Sequence, residues 1–454
     1  MRKLIPALGC ILFVSILAII SNSCQKVELK PEDPFYKGTY DSPSTSKPNI
    51  ILILADDVGY EVPTCDGGQS YSTPNLDRMA AGGIRFTNCN STPLCSPSRV
   101  ELLTGKYNFR NYGEWGVLDT SNRTFANMLK KAGYRTLASG KWQLAGGDTA
   151  MRIFGFDDYA LYDPFNSGIG KGSRYKDPSV YENGNIIPRQ YLTNKYGDDI
   201  FTNKVLNFID SNKARPFFVY FPICLCHYPF CPTPDDPEFA SWDPSRNNAD
   251  DRFFPSMVKY LDKKVGEVMD KVDSLGIGDH TIVIFVGDNG TDGRIYSQWE
   301  NQRIKGGKSK TYYTGTHVPM IVWGPGAITP GVVNDQLVDF TDFLPTFADM
   351  AHISLPTTYG PLDGVSFYPS LVGRPTNLRQ WMFCHYDQNE QGEGRHPIRR
   401  WVWNTTYKLY DTTYLFYNIH NDSYEQTPLP SADLTPEESA LKATFAGVLS
   451  KMHK

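Results

Sequence analysis

The chain has 454 residues, 40% of them hydrophobic and 21% charged, the make-up of a globular protein with room for one large domain and a smaller companion. A formal net charge of −4 argues against a nucleic-acid-binding surface, and nine cysteines in a chain this long do not make a disulfide-dependent framework. Aromatic residues reach 13%, including 27 tyrosines, a proportion that suits carbohydrate as well as protein partners.

At the N-terminus Arg2 and Lys3 precede an apolar run from Leu4 to Ile20, and Ser21-Asn22-Ser23 leads into Cys24. This pattern reads as a secretory signal. Its end resembles a bacterial lipoprotein cleavage site, with Cys24 the lipidated first residue of the mature chain, although Ser21 stands where leucine is usual. The alternative is a retained membrane anchor, but Pro6 and Gly9 interrupt the run. Either way the folded part is exported, to the periplasm or the outer membrane. Residues 25–47, rich in Pro, Ser, Lys and Asp, read as a tether.

Beyond the tether, apolar strand-like runs alternate with amphipathic helical stretches, the pattern of an α/β domain with a largely parallel sheet. Residues 49–55 (NIILILA) form a buried strand, and 73–83 a short helix closed by glycines. In the stretch 95–105 (CSPSRVELLTG), Pro97 suits the first position of a helix, where a missing N–H is no loss. Cys95 then lies at a solvent-facing helix start, where the dipole and unpaired N–H groups favour a thiolate or a bound anion, with Arg99 a turn further in. A cysteine serving only the core is the other reading. Residues 124–134 make a helix with Ala126, Met128, Leu129 and Ala132 on one side, and 250–276 a longer one with Met257, Leu261, Val265, Val268 and Val272 at helical spacing. The remaining cysteines, Cys65, Cys89, Cys224, Cys226, Cys231 and Cys384, read as buried free thiols. After about residue 370 the pattern changes to short antiparallel strands (400–411 and 414–419). A last helix follows, opened by the capping-box sequence Thr435-Pro436-Glu437-Glu438, with Leu441, Phe445, Val448, Leu449 and Met452 on one face. Strands followed by one packed helix predict a small α+β subdomain.

Several apolar runs end in polar residues that do not belong in a core. The first strand ends in Asp56 and Asp57, the run 280–287 in Asp288 and Asn289, the run 217–226 in His227, and the run 134–140 in Lys141. Ligands of open α/β sheets bind outside the carboxyl ends of the strands, so these endings are expected to converge. Three carboxylates and an amide are an all-oxygen set suited to a hard divalent cation such as Ca²⁺ or Mg²⁺. Beside Arg99, Lys141 and Lys308 such an ion makes a site for a tetrahedral anion or its ester. Each residue also has a structural reading: an aspartate after a strand caps or turns, and Asp288-Asn289-Gly290 alone is a good hairpin turn.

From about Lys47 to Leu429 the sequence resembles the formylglycine-dependent sulfatases. Cys95-Ser96-Pro97-Ser98-Arg99 followed by Leu103-Thr104-Gly105 matches the family motif, and the stretches 51–60, 73–88, 140–142, 281–290 and 306–326 follow in the family's order. The resemblance implies an alkaline-phosphatase-like fold: a large mixed, mostly parallel sheet between helices in a sulfatase domain of residues 48–370, with the smaller α+β subdomain at 371–454. It implies that Cys95 is oxidised to formylglycine (3-oxoalanine) by a formylglycine-generating or anaerobic sulfatase-maturating enzyme. It further implies that Asp56, Asp57, Asp288 and Asn289 bind one Ca²⁺ together with the modified Cys95. Arg99 is expected to hold the formylglycine hydrate, Lys141 and Lys308 the sulfate oxygens, and His227 to act as general acid at the leaving oxygen. The implied reaction is sulfate-ester hydrolysis on a sulfated carbohydrate. The alternatives are a phosphomonoester, phosphodiester or phosphonate hydrolase of the same superfamily, or a non-catalytic glycan-binding lipoprotein. Tyr159, Tyr162, Arg174 and Tyr175, and a loop with Arg395, His396, Arg399 and Arg400, are candidates to line the sugar site. One position departs from the family: the usual Gly-Lys-Trp-His, whose histidine serves as base in releasing sulfate, has Gln143 in its last place. Glutamine exchanges hydrogen bonds but takes up no proton at neutral pH.

Overall fold

Asn49–Ala55, strand β1, is buried along its whole length, and its side chains alternate between two cores. Ile50, Leu52 and Leu54 enter one cluster, and Ile51, Ile53 and Ala55 the other. That division is why the run is continuously apolar: a parallel strand covered on both faces has no solvent side to make polar. The computed structural model describes residues 47–162, 164–165, 172–246, 248–374, 378–387 and 397–452, so the signal, the lipidation cysteine Cys24, nearly all of the tether, and the loop residues Arg395 and His396 lie outside the described residues. No helix among the described residues is long and apolar enough to cross a membrane.

The main sheet has ten strands. In chain order these are β1, β2 (Gly83–Asn90), β3 (Arg135–Lys141), β4 (Asp158–Tyr162), β5 (Tyr181–Glu182), β6 (Asn185–Ile186), β7 (Phe217–Pro222) and β8 (Thr281–Gly287), with β11 (His317–Trp323) and β12 (Val332–Asp339). Between β8 and β11 a separate antiparallel hairpin is made by β9 (Tyr296–Trp299) and β10 (Gln302–Lys305). The spatial order is β12-β2-β11-β8-β1-β7-β3-β4-β5-β6. At its centre β8, β1, β7, β3 and β4 are all parallel. β11 runs antiparallel to both its neighbours, and β5 and β6 close the other end as a hairpin. The expected large mixed, mostly parallel sheet is what the chain forms.

The helices cover both faces. Phe254–Ser274 buries Met257, Leu261, Val265, Val268 and Val272, the residues whose spacing predicts it. Its Asp262 accepts from the backbone N–H of Asn75 (3.0 Å) and Leu76 (2.8 Å), capping the helix Pro74–Ala81 from a neighbouring element. On the other face Thr124 and Asn127 form a reciprocal cap for Phe125–Lys131.

A second sheet follows, β13 (Met382–Tyr386), β14 (Arg399–Trp403), β15 (Tyr407–Tyr410) and β16 (Phe416–Asn418), antiparallel throughout. The helix Pro436–Leu449 opens with the expected box between Thr435 and Glu438, and its Phe445 and Leu449 pack on Phe383, Val402, Leu409 and Phe416. Tyr107 and Phe109 of the main domain join the same cluster, fastening the small sheet beside the helix that carries Cys95.

Candidate active site

Strands β1 and β8 are adjacent and parallel, in register from Asn49 opposite Thr281 to Ala55 opposite Gly287, so the residues that follow them arrive together. The Asp288 N–H donates to Ala55 O at 2.9 Å. Asp57 has φ 58°, a left-handed conformation that aspartate adopts more readily than most residues. Its N–H reaches Asp288 Oδ1 at 3.1 Å, and Asn289 Nδ2 donates to Asp57 Oδ1 at 2.9 Å. Asp56, Asp57, Asp288 and Asn289 are all fully buried. Gly290 permits the close packing behind them, since a Cβ there would lie 1.9 Å from Thr314 O.

The helix expected to start at Pro97 begins two residues earlier, and Cys95 is its first residue. Pro97 still falls in the first turn, where no intrahelical N–H bond is lost. The helix start is not solvent-facing: all ten residues of Cys95–Thr104 are buried, Cys95 to 5% exposure. Arg99 therefore meets the carboxylates inside the protein. Its Nε and Nη2 donate to Asp288 Oδ2 at 3.2 and 2.7 Å, and its Nη1 to Lys141 O at 2.9 Å. Lys141, the last residue of β3, places Nζ 2.7 Å from Asp56 Oδ1 and 2.6 Å from Oδ2. Lys308 Nζ donates to Asp57 Oδ2 at 2.7 Å. Its loop is tied down on both sides, by Lys308 N–H to Thr291 O (3.0 Å) and Ser309 N–H to Pro93 O (2.8 Å). His227 lies five residues beyond the end of β7 and brings Nε2 to 3.8 Å from Asp57 Oδ2. Gln143, at φ 50°, places Oε1 3.9 Å from Cys95 Sγ. Every residue singled out as catalytic or metal-binding thus stands in one cluster.

Burial and the neighbouring Asp56 push the Asp288 pKa up to about 6, against the pull of Arg99. Asp56 is opposed by burial but held low by Lys141, Arg99 and Arg174. Burial works to lower Lys308, and the Asp57 carboxylate outweighs it and raises its pKa. His227 is driven well below the ordinary histidine range by burial and then by the charges of Arg174, Lys308 and Lys141. Its Nδ1 faces Tyr228 O, which can only accept, so the neutral ring carries its proton there and leaves Nε2 as a lone pair.

The residues fit a divalent cation. Asn289 Oδ1 is buried with no hydrogen-bond partner among the described residues, in the middle of an otherwise carboxylate set. Ligand atoms of Asp56, Cys95 and Asp288, and separately of Asp56, Asp57 and His227, lie within 4.8 Å of one another. The carboxylate oxygens of Asp56, Asp57 and Asp288 with the amide oxygen of Asn289 suit a hard ion.

The sugar-site candidates divide. Tyr159 is wholly buried, with its hydroxyl on Asp148, and Tyr175 is a support whose hydroxyl donates toward Cys224 O (2.9 Å) and His227 O (2.6 Å), holding the histidine loop. Tyr159 is outside the lining of the cavity beside His227, and Tyr175 contributes to that lining while its hydroxyl is held by the two carbonyls. Arg400 is paired with Asp411 at 2.9 Å. Arg174 stands 3.4 Å from Asp56 Oδ2, a contact that no local sequence pattern announces, because it comes from the long connection between β4 and β5. A cavity of about 1000 Å³ opens beside His227, lined by Tyr162, Arg174, Arg189, Tyr228 and Trp242 among others.

The Sulfatase family model matches residues 48–353, two thirds of the chain. The chain belongs to the sulfatase family. A second family model, described as the C-terminal part of N-sulphoglucosamine sulphohydrolase, matches residues 307–438, which include the small sheet of this sulfatase. Arylsulfatase A of Homo sapiens is 31% identical over 389 residues, spanning 78% of this chain and 73% of its own. The N-acetylgalactosamine-6-O-sulfatase of Bacteroides thetaiotaomicron is 30% identical over 423 residues, spanning 75% and 79%. Among solved structures, Ps i-CgsB in complex with k-i-k-neocarrahexaose superposes with a TM-score of 0.74 at 24% identity, covering 89% of this chain and 92% of its own. This sulfatase is accordingly a sulfuric ester hydrolase.

Proposed function

We propose that this sulfatase releases sulfate from a sulfated sugar, with Cys95 converted to formylglycine and one Ca²⁺ held by Asp56, Asp57, Asp288 and Asn289. The observation that carries the reading is the position of Cys95, first residue of a helix and within 4.8 Å, ligand atom to ligand atom, of Asp56 and Asp288. When both groups are in place, the hydrated aldehyde supplies a hydroxyl nucleophile whose ionised form the cation stabilises. The chain's own residues do the rest. Arg99, bonded to Asp288 and to the Lys141 carbonyl, orients the residue at position 95 and balances charge. Lys141 and Lys308 present ammonium groups at the mouth of the carboxylate cluster, where they neutralise the oxygens of an entering sulfate ester. His227 takes a proton from solvent water on Nε2 as the anionic ester enters and offsets the surrounding positive charge, and delivers it to the leaving sugar oxygen. A maturating enzyme supplies the modification of Cys95, and the mature chain is exported and lipid-anchored through Cys24.

The test is the mature protein assayed against matched sulfate, phosphate and phosphonate esters, with mass spectrometry of the peptide containing Cys95. Sulfate release by protein whose Cys95 peptide has lost mass relative to the thiol form, and none by Cys95→Ala, is the expected outcome. Full activity with an unmodified thiol, or a preference for phosphate, overturns it.

A further inference from the structure

Arg174 is one cation more than the site's carboxylates call for. Asp56, Asp57 and Asp288 are already matched by Lys141, Lys308 and Arg99 at 2.6–2.7 Å. Arg174 touches Asp56 only at 3.4 Å, through Nη1, and among the described residues no other carboxylate holds its guanidinium. The nearby buried Asp198 accepts from Cys224 N–H instead, at 2.8 Å. Yet Arg174 is 8% exposed, and a buried charge without a close counter-charge is costly unless something compensates it.

Its placement is built. The guanidinium lies over the Tyr162 ring, 5.0 Å from the centroid. The backbone behind it is clamped: Gly197 N–H donates to Tyr175 O at 2.8 Å, and a Cβ on Gly197 would come within 2.0 Å of Arg174 O. Arg174 lines the cavity of about 1000 Å³ that His227 also lines, so it borders the same space as the proposed general acid. A planar guanidinium with Nε and Nη2 to spare matches the paired oxygens of a sulfate or carboxylate.

We propose that Arg174 binds a second anionic group of the substrate, a sulfate or carboxylate on the sugar that bears the scissile sulfate or on its neighbour, and so selects polyanionic over singly charged sulfate esters. The proposal rests on the reading of this site as one for sulfated sugars. A contact to a second group lies off the reaction centre, so it shows as selectivity among substrates, and Arg174 is in that sense a specificity-determining residue.

Calorimetric binding to the Ca²⁺-loaded Cys95→Ala protein decides it, with N-acetylgalactosamine 4-sulfate, 6-sulfate and 4,6-disulfate as probes and a sulfated glucuronic acid as the carboxylate arm. The expected result is tighter binding of the disulfate or the sulfated uronate than of either monosulfate, by about tenfold or more. The Cys95→Ala/Arg174→Gln protein narrows that preference to within about twofold, and Arg174→Lys, which keeps the charge and loses the fork, falls between. No preference in the parent, a preference that survives Arg174→Gln, or equal weakening of every probe overturns the proposal; the last result makes Arg174 a support for Asp56. Where Arg174→Gln fails to fold, the narrowed preference of the Arg174→Lys protein reads the proposal. If the mature enzyme releases sulfate from no ester while the binding preference stands, the reaction reading fails and the assignment of Arg174 holds.

Discussion

The side-chain oxygen of Gln143 faces the sulfur of Cys95 at 3.9 Å, so at the motif position where the resemblance implies a histidine base an amide stands within reach of the residue proposed as nucleophile. An amide hydrogen-bonds the nucleophile's hydroxyl and cannot deprotonate it. Breakdown of the sulfated intermediate is therefore expected to be slower than its formation, with a burst of alcohol product before steady turnover. Gln143→His is expected to raise the steady rate, because histidine tolerates the left-handed backbone at this position better than most residues. Stopped-flow kinetics with a chromogenic sulfate ester reads both. A native enzyme without a burst, and a variant no faster, would show that another group removes the proton.

The proposed cation would be held by three buried carboxylates and by Asn289, whose Oδ1 has no hydrogen-bond partner among the described residues. Exhaustive chelation is expected to abolish sulfate release and lower the melting temperature, and Ca²⁺ to restore both. Asp288→Ala removes a candidate ligand and also the oxygen to which Arg99 Nε and Nη2 both donate, so it is expected to cost at least about a hundredfold in kcat/KM and to erase the Ca²⁺-dependent rise in melting temperature. Unchanged activity after chelation sinks the cation assignment.

Stability is expected to carry a pH signature from Asp198, away from the reacting groups. Its Oδ1 accepts from Cys224 N–H, its Oδ2 is buried without a partner among the described residues, and burial pushes its pKa up to about 7 from the usual 3.8. A carboxyl whose folded pKa is raised stabilises the fold while protonated, below about pH 4, and that contribution is lost as the pH rises through 7. Asparagine imitates the protonated form. Asp198→Asn is thus expected to match the parent below about pH 4 and to exceed it by about 1–3 kcal/mol at pH 8, the usual cost of an unsatisfied buried acceptor. Urea melts at the two pH values measure the difference, and a pH-independent offset contradicts the assignment.

The small C-terminal sheet supports the Lys308 loop. Lys408, buried between the rings of Trp401 and Tyr410 (4.8 and 4.7 Å), donates to Thr311 O and pairs with Glu425 at 2.7 Å, while Tyr386 donates to Ser309 O at 3.2 Å. Lys408→Met leaves Glu425 as an uncompensated buried charge and is expected to cost about 3–5 kcal/mol of stability. Because the lost contact lies on the Lys308 loop, KM for the sulfate ester is expected to rise more than kcat falls. Lys408→Met/Glu425→Leu is expected to recover much of the stability and little of the KM. Recovery of both together would mean that the pair supports the fold alone.

Much of this protein is determined along the chain itself. The apolar run of residues 49–55 reads as a buried strand, the Thr435–Glu438 box as a helix start, and Cys-x-Pro-x-Arg with the ordered motif stretches as the sulfatase family. These features are local: periodicity, caps and short motifs depend on residues within a few turns of one another. What the tertiary structure decided is which polar residues meet. The parallel register of β1 with β8 brings Asp57 within hydrogen-bond reach of Asp288 across 231 positions. The same folding separates the sugar-site candidates, with Tyr159 in the core, Tyr175 beneath the His227 loop and Arg174 on the wall of the neighbouring cavity, against Asp56. Nothing in the run Ser173-Arg174-Tyr175 distinguishes a ligand-facing side chain from a supporting one. Burial and partner geometry are properties of the packed sheet and its loops, where the free energy of a buried charge depends on what the rest of the chain places beside it.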